Sequence, residues 1–154
     1  MFLFSLEAIY YGSRQDRSDS DFAVPNSRTR LLAGYQIQPL EDLSLGFQYY
    51  TEYMCDYSAC RAALPAGFPV EKQLDHTFTL RATQLLKHQT LRLSLYGSYS
   101  ASNGDHFINP ELRYSFTDRV WGAVGANFLG GKPWGQFGQL SRDDNVYIQV
   151  RCEF

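Results

Sequence analysis

The chain has 154 residues, with 14 Lys and Arg against 16 Asp and Glu, a formal charge of −2 too balanced for a general nucleic-acid or polyanion binder. Hydrophobic residues at 44% and charged ones at 19% exclude a disordered tail, and the length suits one domain. A mean hydropathy of −0.34, without an apolar run near the roughly 18–20 residues of a spanning helix, excludes a helical membrane protein.

Aromatics reach 16%, and the bases are nearly all Arg, with only Lys72, Lys87 and Lys132. That composition points to strands rather than helices. A helical period of 3.6 hardly appears, whereas period 2 recurs in eight segments. The first sets Phe2, Phe4, Leu6, Ala8 and Tyr10 against Ser5, Glu7 and Tyr11. The second opposes Leu31, Ala33, Tyr35 and Ile37 to Arg28, Arg30, Gln36 and Gln38. In the third, Leu43, Leu45, Phe47 and Tyr49 alternate with Ser44, Gln48 and Glu52. The fourth separates Phe78, Leu80 and Ala82 from Asp75, Thr77, Thr79, Arg81 and Thr83. The fifth separates Leu91, Leu93, Leu95 and Tyr99 from Arg92, Ser94, Tyr96 and Ser98. Ile108, Leu112 and Tyr114 face away from Asn109, Glu111 and Arg113 in the sixth, where Pro110 predicts a bulge or a late start. The seventh, rich in Gly, pairs Val120, Val124 and Phe128 against Trp121, Gly125 and Asn127. The eighth sets Val146, Ile148, Val150, Cys152 and Phe154 against Tyr147, Gln149, Arg151 and Glu153.

The charges decide what this alternation means. Within the eight segments every Asp, Glu and Arg takes the polar parity; His76 is among the few residues that soften the apolar one. Connections alternate as well: 12–27, 54–73 and 130–144 are long and polar, while 39–42, 87–89 and 117–119 are short turns. This predicts an all-β, up-and-down antiparallel barrel of about eight strands in a single domain 1–154, with the long loops at one end and both termini at the other.

A soluble barrel turns its apolar parity inward around a ligand, and a membrane barrel turns it outward to lipid. Runs of nine to eleven residues match a tilted strand crossing a bilayer, and soluble strands average about five or six. Aromatics toward the strand ends, such as Tyr10, Tyr49, Tyr99, Tyr114 and Phe128, suit a girdle at the headgroup level. The expectation is therefore a transmembrane β-barrel in contact with membrane lipid. Glu7, Arg30, Glu52, Arg81, Arg92, Glu111, Arg113 and Arg151 would line its lumen, either as a charged pore or as a salt-bridged filling.

The tail NVYIQVRCEF ends in Phe154 with apolar residues at every second position before it, and LRYSFTDR at 112–119 repeats an aromatic strand end followed by a short turn. The first resembles the terminal signal by which Gram-negative outer-membrane proteins are recognised for insertion. The whole segment GGKPWGQFGQLSRDDNVYIQVRCEF is similar to the tails of porin-like outer-membrane proteins, with Cys152 where the pattern usually has Tyr. The resemblance implies Phe154 as assembly signal, the barrel-assembly machinery and lipopolysaccharide as partners, the cell outer membrane as location, and these eight strands as the C-terminal part of a larger barrel. MFLFSLEAIYYG lacks the basic start and unbroken apolar stretch of a secretory signal, which fits a mature start or a piece of a longer chain.

Other features carry weaker chemistry. Cys55 and Cys60 in CDYSAC suit a small disulfide loop in an oxidising space. His76 falls at the membrane interface, His88 in a turn and His106 beside a loop, with no GxSxG to serve, so no enzyme is expected. Gly130-Gly131-Lys132 lacks the rest of a phosphate loop. Asp16, Asp19, Asp21, Asp143 and Asp144 read as solvated loop acids. No metal, cofactor or nucleic acid is implied. The expected function is porin-like passage of small polar solutes. Two alternatives are a closed structural barrel whose loops bind partners or lipopolysaccharide, and a soluble ligand-binding β-barrel.

Overall fold

A computed structural model describes residues 2–15, 21 and 24–153. Eight strands follow one another: β1 (Phe2–Tyr11), β2 (Arg28–Leu40), β3 (Leu43–Met54), β4 (Leu74–Leu86), β5 (Leu91–Ser100), β6 (His106–Ser115), β7 (Val120–Gly130) and β8 (Asn145–Cys152). Each pairs antiparallel with its sequence neighbours, in the order β1 to β8. The meander puts the connections 12–27, 55–73 and 131–144 at one end of the sheet, and the short turns with the starts of β1 and the end of β8 at the other.

Strand register keeps the two parities apart across the whole sheet. Leu93 lies opposite Leu112, Leu112 opposite Val124 and Val124 opposite Ile148, one unbroken aliphatic row. Next to it runs a polar row in which Thr83, Ser94, Glu111, Gly125 and Tyr147 are successive partners. The sheet curls toward the polar side, because side chains two strands apart meet there: the Tyr147 hydroxyl on β8 donates to Glu111 Oε2 on β6 at 2.8 Å. The apolar side is convex and bare. Leu6 is 69% exposed and Ile148 82%, and of the described hydrophobic residues only Met54 and Ala123 are buried. A sheet normally covers its apolar face with a second layer; this one has none among the described residues.

The sheet is open, since β1 pairs only with β2 and β8 only with β7. Eight strands that close have an interior just filled by side chains. Here the sheet does not close, and its polar side holds cavities of about 480 and 600 Å³.

Three local expectations change. Pro110 makes no bulge: β6 runs through it, with Ile108 opposite Phe128 and Glu111 opposite Gly125 in one continuous register. Its missing N–H is replaced from next door, where Asn109 Nδ2 donates to Ala126 O at 2.9 Å. The segment 55–73 contains a helix, α1 (Tyr57–Ala63), entered through Asp56 in the left-handed region at φ 47°. Seven residues are too few for a helical period to show in the sequence. The Cys55 and Cys60 thiols are free, Cys60 lying within α1 and Cys55 ahead of it.

Candidate functional site

The polar face divides into two halves with different electrostatics. Toward the long loops, Arg30 on β2 and Glu52 on β3 are direct cross-strand partners, and Arg30 Nε donates to Glu52 Oε2 at 2.6 Å. Arg28 also donates to Glu52, through Nη1. The Tyr50 hydroxyl reaches the same carboxylate at 2.7 Å. Arg28 Nη2 extends to Glu71 at 2.9 Å, which ties the loop after α1 to the wall. Glu52 is thus shared by two guanidiniums and a phenol, and the cluster is internally neutralised. Above it, loop residues 69–73 and 134–137 line the cavity of about 480 Å³ on the polar side.

The second loop is held by Asp105, which is buried against Gly131 and Gly135; a Cβ at either glycine would run into its carboxylate. The first loop is tied in where Cys55 N donates to Ser27 O at 2.9 Å. Three of the connections at this end are therefore built onto the wall.

Toward the short turns the balance reverses. Arg81 and Arg92 line the cavity of about 600 Å³ together with Gln36, Gln48, Thr79 and Thr83. Arg92 stands directly opposite Arg113, whose guanidinium lies 3.9 Å from the centre of the Trp121 ring. Glu111 turns away from both and accepts from Tyr147. Arg151 pairs with Glu153 at 3.1 Å on the edge strand. Glu7 sits on β1 opposite Leu32 and takes the same face as Arg30.

All eight charged residues expected on one side share that side, but they do not form one cluster. Arg30 and Glu52 meet; Arg92 and Arg113 face each other unneutralised; Arg81, Glu111, Arg151 and Glu7 stand apart. Phe154 lies outside the described residues, as do Asp16 and Asp19. Asp144 Oδ1 accepts the Leu129 N–H at 2.8 Å and so ends β7 rather than standing free in the loop. His76 stacks on Tyr49, its Nδ1 2.7 Å from the phenol oxygen, among the convex aromatics Phe47 and Phe78. His88 is in the turn Lys87–Gln89, all of whose residues have positive φ.

Arg28, Glu71, Asn109, Trp121 and Tyr147 complete the wall and were not singled out from the sequence. Parity alone placed Arg28, Asn109, Trp121 and Tyr147 on the right face. Glu71 belongs to a loop, where no periodicity exists to reveal it. No family model matches the chain, and the comparisons with curated proteins and with solved structures found no match.

Proposed function

We propose that the chain forms the wall of an outer-membrane β-barrel through which small polar solutes pass. One observation carries this reading: the convex face is predominantly apolar and, among the described residues, has no covering layer, while the charges occupy the concave face. A soluble barrel would turn Leu93 inward and Arg92 outward, the reverse of the disposition found. In water an apolar patch of this extent aggregates or finds a partner; in a bilayer it meets lipid. Strands β1 to β7, of 10, 13, 12, 13, 10, 10 and 11 residues, have the length a tilted crossing needs, and β8 has 8. The Tyr49, Phe78 and His76 cluster has the amphipathic character of a headgroup girdle.

Lipid offers no partner to an unpaired strand edge, so β1 and β8 must be paired in the membrane. Cavities on the polar side leave room for solute, which favours passage over a filled structural barrel. The alternating sequence pattern that ends in Phe154 serves in this reading as the signal for the barrel-assembly machinery, and the long loops face lipopolysaccharide. Fractionation tests the reading. The protein should require detergent for extraction and migrate differently in unheated and boiled gel samples. Recovery as a monodisperse species from detergent-free buffer would contradict it.

A further inference from the structure

We infer that the turn-side half of the polar face is a selectivity strip for small oxyanions, solutes that carry a carboxylate, phosphate or sulfate group. This rests on the passage reading and names the class of solute. Arg81, Arg92 and Arg113 stand on three successive strands, β4, β5 and β6, and all face the polar side. Like charges directly opposite one another destabilise a sheet, and Arg92 and Arg113 are such a pair. Among the described residues none of the three arginines forms an ion pair. The acid best placed to neutralise them, Glu111, is two residues from Arg113 on the same face and is directed to Tyr147 instead.

The contrast with the loop side is informative. There Arg28 and Arg30 converge on one carboxylate, so the wall is able to pair its arginines where it needs them paired. Arg92 Nε is shielded from solvent and has no acceptor at all. A buried donor without a partner costs free energy. The adjoining cavity of about 600 Å³ is lined by Arg81, Arg92, amides and hydroxyls, with Leu3 and Leu45 beside them, and by no Asp or Glu. An oxyanion entering it would supply the missing acceptor, in the bidentate geometry a guanidinium prefers. Arginine-lined constrictions with low-dielectric walls concentrate anions and repel cations.

The test is electrical and uses the full chain, reconstituted in planar bilayers under a potassium chloride gradient. The zero-current potential should have the sign of an anion-preferring path. Acetate, phosphate and sulfate, added in turn, should reduce the chloride current, and their order of potency separates carboxylate from phosphate or sulfate recognition. The double variant R81Q/R92Q should lose most of the anion preference and of the block. R142Q, in the loop before β8, should keep both. Altered gel mobility on heating checks that each variant has inserted. A cation preference, or an anion preference untouched in R81Q/R92Q, overturns the oxyanion strip and leaves the passage reading standing. Inserted protein that carries no current overturns both.

Discussion

Tyr147 lies across Gly125: the phenol ring on β8 occupies the space a side chain at that β7 position would fill, and its hydroxyl goes on to Glu111 on β6. The three residues are successive register partners, so one tyrosine bridges three strands and helps set the curl of the sheet. A Cβ here would collide with the ring, so a larger residue needs Tyr147 to move. Gly125→Val should therefore expel Tyr147 and cost about 3 kcal/mol, as overpacking does. Tyr147→Phe keeps the ring and loses the bond donated to Glu111 and the longer one accepted from Asn109 Nδ2, together about 1.5 kcal/mol. Urea midpoints in detergent, followed by tryptophan fluorescence, should rank the two in that order. Equal midpoints would mean the ring is not held over Gly125.

Glu52 holds two arginines at once. Glu52→Gln leaves Arg30 without its carboxylate and Arg28 with Glu71 alone. The expected loss is about 2 kcal/mol, less than the roughly 3–5 kcal/mol of a fully buried pair, since Arg30 keeps 42% of its side-chain surface exposed. Glu71→Gln breaks only a surface pair, with Glu71 66% exposed, and should cost under about 1 kcal/mol. The same denaturation assay separates them.

The loop 131–144 depends on two glycines packed on Asp105. Gly131 has φ 144° and Gly135 has no positive φ, yet a Cβ on either meets the Asp105 carboxylate. Gly135→Ala therefore isolates the steric effect from backbone strain. It should speed amide exchange across the loop while the exchange of β4 and β5 stays unchanged. Gly67→Ala, with φ 93° but open space around it, should alter only its own turn.

Leu93 and Ser94 are neighbours on opposite faces. Leu93→Arg puts a charge into the aliphatic row of the convex side and should cost about 2–4 kcal/mol near a bilayer midplane. Ser94→Arg enters the polar row directly opposite Glu111, an opposite-charge pair that offsets part of its own burial. Its midpoint should move by less than about 1 kcal/mol. Refolding into lipid vesicles gives both values.

Much of this fold is legible in the sequence because a strand's side chains alternate with a period of two, so parity fixes the face of each residue within the eight strands. Arg92 and Leu93 could be assigned to opposite sides without any coordinates. Partnership is not legible in the same way, because it depends on register and curl. That Arg30 finds Glu52, while Arg92 finds only Arg113, follows from which strand positions align. The open edge also leaves no trace in the pattern, since β1 and β8 alternate as paired strands do. Helix α1 and Glu71 lie in a segment where neither period operates, and Pro110 misleads because its remedy, the Asn109 amide, is a side chain.

The central claim is that the convex face meets lipid. After Cys55, Cys60 and Cys152, all free thiols, are changed to serine, single spin labels placed along β5 from position 91 to 98 report it most directly. Labels at Leu91, Leu93 and Leu95 should collide with dissolved oxygen, and those at Arg92, Ser94 and Ser98 with a water-soluble nickel chelate, in strict alternation. Oxygen contact at Arg92 and Ser94, or chelate contact at every position, would contradict the account.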